Sequence, residues 1–282
     1  MKLIWTYWSQ GVDKITPFGQ ICLDSWNKYL CSYYINVIDR NSFLESQTNI
    51  NVDFFDSLTY QQQSDLVRLT LLYKFGGIWL DLTIILTNNL DCITSKFDEG
   101  YEQVGFQVTF PFHKKNIYLL ENWCIAIKNP GNYIIDQWKK AFLIMLETGI
   151  TESEIWRTTD KSSIPKNLQK YLSMHIAHLW CIENNKKYKY LYHKIYLYDA
   201  NKTALLKYSN YMEPFIFGLG ASDNLFSIMK FTNTDRKLLR LICSKRLQII
   251  LNEKIKVVSL LAQRILIIVS LIGLFFIKKK NV

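Results

Sequence analysis

The sequence predicts an α/β fold in which a mostly parallel sheet is flanked by helices, with a helical tail at its C-terminal end. Three observations carry that prediction. Short β-branched and aromatic runs alternate with segments of helical period along residues 2–86. The run Ile78–Leu86 is apolar almost throughout, the pattern of a strand buried on both faces. The helix before it stops at Gly76-Gly77, where glycine permits the left-handed turn that ends a helix.

Lys2–Trp8 is a strand closed by the loop Ser9-Gln10-Gly11. Phe18–Leu30 carries Ile21, Leu23, Trp26 and Leu30 at helical spacing. Tyr33–Ile38 is a second strand, ending in the polar Asp39-Arg40-Asn41, and Ser42–Phe55 is expected to form a short helix and a loop. Gln61–Phe75 is a helix with Ser64 as its expected N-cap. Strand–helix–strand alternation makes crossovers, which join parallel strands. Ligands of such sheets bind at the carboxyl ends of the strands, so Tyr7–Gln10, Asp39–Asn41 and Asp81–Thr83 are expected to gather there. Beyond them, Val104–Phe110 reads as a strand, Ile134–Leu146 and Pro165–Trp180 as helices, and Lys186–Tyr198 as a Tyr/Lys-rich strand or hairpin. The Gly-rich stretch 217–224 reads as a loop.

The net charge of +10 resembles a nucleic-acid signature until it is located. From Asp235 to the end, eleven Lys or Arg face only Asp235 and Glu253, which leaves residues 1–234 at +1. A nearly neutral body excludes a general polyanion-binding domain, and no nucleic-acid partner is expected. The chain therefore divides into a body, 1–234, and a basic tail, 235–282. In the tail, polar Lys245, Gln248, Asn252, Lys256, Ser259 and Gln263 share one helical face, opposite Leu247, Ile250, Leu251, Ile255 and Val258. Ile265–Ile277 then gives thirteen uncharged residues, about 20 Å of helix, which is short for a ~30 Å hydrocarbon core. A basic helix lying in or obliquely across an anionic membrane surface fits this pattern best; a spanning helix and a helix packed on the body are the alternatives. The six cysteines show no metal-ligand spacing and read as buried hydrophobes of a reducing compartment. With no charged n-region and apolar h-region visible before the first strand, no cleavable signal is expected. A cytoplasmic body, peripheral to the membrane or anchored by its C-terminal tail, is the resulting expectation.

Asp81 is the one carboxylate inside the apolar run 78–86. A charge there is costly unless it is paired or holds a metal. Two residues on, Thr83 is expected to point to the same side of one strand. A hard divalent ion binds through one or two carboxylates plus substrate phosphates, so Asp81 and Thr83 are candidate ligands for Mn²⁺ or Mg²⁺. Asp65 and Arg68, three apart on the preceding helix, share a face. Arg68 can fork onto a phosphate or a carboxylate, and Asp65 can accept from sugar hydroxyls. The ordinary alternatives are an Asp81 that caps the strand or pairs with a lysine, and an Asp65–Arg68 pair that is a surface ion pair.

These residues carry a family resemblance. Ile4-Trp5-Thr6-Tyr7-Trp8 with Gln10-Gly11, Cys22–Trp26, Val37-Ile38-Asp39, and Ser64-Asp65-Leu66-Val67-Arg68 followed by Leu72–Asp81 resemble the DXD-type nucleotide-sugar glycosyltransferases of capsular-polysaccharide synthesis and their mannosyl- or galactosyltransferase relatives. The match is good over the first 90 residues or so and loose beyond. The resemblance implies a GT-A fold, a Rossmann-like sheet that binds a nucleoside diphosphate sugar and a divalent metal. By position it implies Trp5 against the nucleobase, Asp39 on the nucleoside, and Asp65 and Arg68 on the donor sugar and phosphates. Tyr7, Gly76, Gly77 and Trp79 would lie in the donor site and Asp81 at the metal. It implies a metal-assisted, mostly retaining hexose transfer onto a saccharide or lipid-linked saccharide. One departure is Thr83, where many relatives carry a second aspartate; capsule-type members commonly tolerate a non-acidic residue there. A catalytically inactive nucleotide-sugar or carbohydrate-binding protein of the same fold is the alternative.

Later candidates are weaker. Asp223 could add a metal ligand, although a polar turn explains it as well. Lys230 and Thr232 could touch a diphosphate, with ordinary surface residues the favoured explanation. His175 and His178, three apart without the Glu of a zincin helix, are assigned to packing or surface.

Overall fold

The computed structural model describes residues 2–47, 50–108, 119–162, 164–200 and 228–231. Along the chain these form β1 (Leu3–Tyr7), α1 (Pro17–Tyr29), β2 (Tyr34–Ile38), α2 (Arg40–Glu45), α3 (Val52–Ser57), α4 (Tyr60–Phe75), β3 (Gly77–Leu80) and β4 (Ile84–Leu86). There follow α5 (Asp91–Asp98), β5 (Gln103–Val108), β6 (Leu119–Ile127), α6 (Tyr133–Thr148), α7 (Glu154–Thr158), α8 (Ser173–Asn184), α9 (Lys186–Leu191), β7 (Ile195–Asp199) and β8 (Ile228–Lys230).

Six strands make one sheet in the order β2-β1-β3-β6-β5-β7, and β4 pairs with β8 in a separate two-stranded ribbon. The pairs β1–β2, β1–β3 and β5–β7 are parallel, whereas β6 runs antiparallel to both its neighbours. The sheet is thus mixed, with five strands in one direction and a reversed one between β3 and β5. Helices cover both faces. On one face Trp5, Tyr7 and Trp79 pack with Leu66, Leu69 and Leu72 of α4, Trp138 and Phe142 of α6, and Ile176 of α8. On the other, Ile4, Ile78 and Leu80 pack with Cys22, Leu23 and Trp26 of α1 and with β4.

Several elements differ from expectation for local reasons. Helix α4 begins earlier than Ser64: Thr59 is its N-cap, in a capping box with Gln62. The helix does end at Gly76, and the two glycines are needed because both have positive φ. A Cβ on Gly77 would stand 2.7 Å from the Leu3 carbonyl oxygen, so any side chain would push β3 off β1. The stretch 42–55 holds two short helices, the second capped by the Asn51 side chain. Pro165–Trp180 resolves into a 3₁₀ turn at Lys166–Leu168 and then α8. The 186–198 run is not a hairpin: Asn185 caps α9, and only from Ile195 does the chain extend as β7. Of the described cysteines Cys22, Cys124 and Cys181 are buried as expected, but Cys31 is exposed.

The largest correction concerns Ile78–Leu86, which is two strands rather than one. The Asp81 carbonyl accepts from the amides of Thr83 and Ile84 at 2.6 and 3.0 Å, so the chain turns at Asp81-Leu82-Thr83. Beyond the turn α1 holds β4, through Trp26 Nε1 donating to the Ile84 carbonyl at 2.9 Å and the Leu86 amide donating to Ser25 Oγ at 3.0 Å. The tail and the stretch around Asp223 lie outside the described residues, so the 234/235 boundary does too. Among the described residues no helix is long and apolar enough to cross a membrane.

Candidate active site

The site is built where β3 ends. The Asp81 amide still pairs with the sheet, donating to the Trp123 carbonyl of β6 at 2.9 Å. One residue later the chain leaves the sheet, so the Asp81 side chain stands at the carboxyl edge and a quarter of it is exposed. It shares the parity of Trp79 and therefore faces α4.

Three donors make four hydrogen bonds to this carboxylate and its neighbour. Oδ1 accepts from Arg68 Nη2 at 3.0 Å and from Trp79 Nε1 at 2.9 Å. Oδ2 accepts from Lys230 Nζ at 2.8 Å, and the same ammonium donates to Thr83 Oγ1 at 2.6 Å. Burial alone would raise the Asp81 carboxyl, but the charges of Lys230 and Arg68 and the hydrogen bonds from Lys230 and Trp79 outweigh it and hold the group well below the carboxylate range. Asp81 is ionised at any physiological pH.

Behind Asp81 lies a second layer. Arg68 also donates to Asp65, and its guanidinium lies 4.7 Å from the centre of the Trp79 ring. Asn122 Nδ2 donates to Asp65 Oδ1 at 3.0 Å. Asp65 and Arg68 are only 1% and 2% exposed, so the pair is buried beneath Asp81 and is not a surface ion pair. Asp65 Oδ2 and Arg68 Nε have no hydrogen-bond partner among the described residues. Burial pushes the Asp65 carboxyl up to about 6, against the lowering pull of Arg68.

The remaining predicted residues fall into two groups. Tyr7 and Asp39 stand at the same edge as Asp81: Tyr7 pairs with Ile38 in the β1–β2 register. The Tyr7 hydroxyl donates to Gln63 Oε1 at 3.0 Å, and Asp39 caps α2, its Oδ1 accepting from the Ser42 amide at 2.8 Å. Those Ser42 bonds, the hydroxyl's first, lower the Asp39 carboxyl. Trp5, Gly76 and Gly77 lie away from that edge. Trp5 is buried in the body of the sheet, its Nε1 donating to the Gly76 carbonyl at 2.9 Å and its ring stacked on Phe75, and the two glycines open β3 at its opposite end. All three pack in the β1–β3 junction there, and Trp5 is 7% exposed. Trp79 reaches the site through Nε1 on Asp81 and through its ring under Arg68.

Asn122 escaped the sequence reading and Lys230 was undervalued. Asn122 had a signal, a carboxamide beside Glu121 in the otherwise apolar run 119–127. Lys230 had none, since its partners are 149 and 147 residues away.

Whether a divalent ion suits Asp81 and Thr83 depends on the oxygens that face it. Both already accept from one ammonium. Among the described residues no group of three or more His, Cys, Asp or Glu is arranged to hold a metal. Arg68 and Lys230 together balance Asp65 and Asp81, so a divalent ion would enter a cluster that is already neutral. The described residues do not fit it. His175 and His178 are both buried, and His178 lies among Trp138, Tyr188 and Tyr192 with its Nδ1 hydrogen-bonded to the Tyr188 hydroxyl.

Known proteins resemble the chain. It is 27% identical over 156 residues to the glycosyltransferase afumC of Aspergillus fumigatus, covering 49% of this chain and 39% of that protein. It is 29% identical over 158 residues to the O-glycosyltransferase braB of Annulohypoxylon truncatum, covering 50% and 37%. The matched stretch thus spans under two fifths of these relatives' length. Among solved structures it is similar to the PaToxG glycosyltransferase at 14% identity and a TM-score of 0.42, over 85% of this chain and 83% of that one, a likeness too distant to argue from. The family model described as capsular polysaccharide synthesis protein matches residues 1–215, the whole sheet up to β7. The chain belongs to the capsular polysaccharide synthesis protein family.

Proposed function

We propose that this chain is a glycosyltransferase that moves a hexose from a nucleoside diphosphate sugar to a saccharide acceptor in surface polysaccharide or glycan synthesis. Membership of the family and the names of the two relatives support the class of reaction. The observation that carries the site is Asp81, an ionised, part-exposed carboxylate at the carboxyl edge, held by Arg68, Trp79 and Lys230. Open sheets bind their ligands at that edge, and a positively charged group beside it suits a pyrophosphate. Asp65, Arg68 and Asn122 form the support that fixes the Asp81 rotamer, which is what a site needs if its geometry is to survive substrate binding.

The test is nucleotide release. Incubated with a panel of UDP- and GDP-sugars and saccharide acceptors, the full chain should release UDP or GDP from one donor. Asp81→Asn should lower that turnover about a hundredfold, the usual cost of losing one preorganised electrostatic group. Equal turnover in the variant sinks the assignment of Asp81. Donor binding without turnover in the unaltered chain identifies an inactive nucleotide-sugar binder instead.

The basic tail fits the same function, since a peripheral enzyme on the cytoplasmic face would hold its site near a lipid-linked acceptor. The full chain should co-sediment with anionic phospholipid vesicles at low salt, and a chain ending at Thr234 should remain in the supernatant. Equal partitioning of the two removes the membrane contact.

A further inference from the structure

We propose that Lys230 takes the place of a divalent ion in this site, its ammonium meeting the diphosphate of the sugar donor directly. This role presupposes the glycosyltransferase activity proposed above. Strand β8 delivers the lysine on a hydrogen-bonded ladder. Lys230 is paired with Ile84 in the β4–β8 register, and the next amide, of Phe231, donates to the Thr83 carbonyl at 2.9 Å. Phe231 is itself anchored edge-on against Phe18 of α1, ring centres 5.4 Å apart. The lysine side chain is 14% exposed and crosses the Trp123 ring with its Nζ 5.8 Å from the centre. This is a positioned ammonium, unlike a solvated surface lysine with a free four-carbon stem.

The point it occupies is the one assigned to a metal. Asp81 and Thr83 are the residues that would hold a divalent ion, and Lys230 Nζ donates to Asp81 Oδ2 and to Thr83 Oγ1, at 2.8 and 2.6 Å. An ammonium has three N–H donors. Two are used here, and among the described residues the third has no acceptor. It is available to a phosphate oxygen. The absence of a second aspartate at position 83 follows from the same arrangement. A hydroxyl completes the hydrogen bonding of a single positive charge without adding negative charge, whereas a second carboxylate suits a doubly charged ion.

In the transfer, the bond between the anomeric carbon and the donor's β-phosphate oxygen breaks, and its electron pair goes to that oxygen. The acceptor hydroxyl oxygen forms the new bond to the anomeric carbon, and its proton leaves on the released nucleoside diphosphate. Lys230 balances the negative charge that grows on the departing diphosphate, and Arg68 lends charge through Asp81.

The experiment compares the unaltered full chain with Lys230→Met and Lys230→Arg. Two measurements are made: UDP or GDP release with EDTA or added Mn²⁺, and Mn²⁺ binding by EPR titration. Turnover of the unaltered chain should persist in EDTA, and its EPR titration should show no Mn²⁺ site that Asp81→Asn removes. Lys230→Met, which keeps the length of the stem, should lose about a hundredfold in turnover, and Lys230→Arg should retain a tenth or more. In Lys230→Met the freed Asp81 and Thr83 oxygens should acquire Mn²⁺ binding, a readout independent of turnover and one that an unfolded variant would not give. Turnover lost in EDTA and restored by Mn²⁺, or a Mn²⁺ site in the unaltered chain that Asp81→Asn abolishes, overturns the lysine's role and leaves the glycosyltransferase intact. No nucleotide release and no UDP or GDP binding under either condition overturns the glycosyltransferase itself.

Discussion

Arg68→Ala should lower the free energy of unfolding by about 3–5 kcal/mol at pH 7.5, the cost of breaking a buried ion pair from one side. Arg68 is 2% exposed and stands between two carboxylates, so its removal strands Asp65 in a pocket that is 1% exposed. Asn122 alone then remains on Asp65 Oδ1. The stranded carboxyl has one escape, which is to take a proton. Burial already pushes Asp65 up to about 6 with Arg68 present, and without Arg68 it moves higher still. A carboxyl whose folded pKa lies above its unfolded value stabilises the fold below the unfolded pKa, and that stability is lost as pH rises through the folded one. The gap between Arg68→Ala and the unaltered chain should therefore narrow in acid, and urea titrations at pH 7.5 and 5.5 would measure it. The double variant Asp65→Asn with Arg68→Met should recover most of the loss, because it removes both charges together. Its turnover should stay low, since Asp81 Oδ1 keeps only Trp79. A cost below about 1 kcal/mol for Arg68→Ala, or no recovery in the double variant, would show that the pair carries no buried charge.

The parts of the fold that could be read from the chain are those specified by neighbours in sequence. Helix α4 and its stop are written in Thr59, Gln62 and Gly76, all within one or two turns of the ends they define, although the cap sits five residues before the Ser64 expected of it. Asp81 stood out because nothing else in its run is charged. The turn after it was illegible: Asp81-Leu82-Thr83 contains no Gly or Pro, and β4 is drawn away by Trp26 and Ser25 of α1, 58 and 61 residues distant. The run 119–127 is apolar enough to read as a strand, but its antiparallel place between β3 and β5 is set by topology and not by local propensity. Helix α9 was misread because Lys and Tyr alternate there; the decisive features are the Asn185 cap and Tyr188 buried against His178. The site follows the same division. Asp65, Arg68 and Asp81 are near in sequence and were found together, whereas Lys230 reaches them only through β8.

A second large effect is expected in acid, and it comes from histidines that take no part in the proposed chemistry. His178 is fully buried, its ring 4.6 Å from that of Trp138, with Tyr188 and Tyr192 on its other sides. His175 is 5% exposed and faces the charge of Arg68. Burial lowers both imidazoles to about 3, helped by Arg68 for His175 and by His175 for His178. For such a group the unfolded chain binds the proton first. The stability it contributes is complete above the unfolded value of roughly 6.5 and is lost as pH falls towards the folded value, at up to about 1.4 kcal/mol per pH unit. Asp65 opposes this below pH 6 with the opposite sign, and Asp81, whose pKa is lowered, does not contribute until the pH falls below the ordinary carboxylate range. Two histidines against one aspartate leave a net loss of about 3 kcal/mol between pH 6.5 and 4.5. His178→Asn keeps an acceptor for the Tyr188 hydroxyl and removes one titrating group, so one histidine and one aspartate should nearly cancel. Urea unfolding across that range should then give a falling curve for the unaltered chain and a nearly flat one for the variant. Parallel curves would mean that His178 is protonated in the folded state, which requires water or a carboxylate to reach Nε2, an atom that has no partner among the described residues.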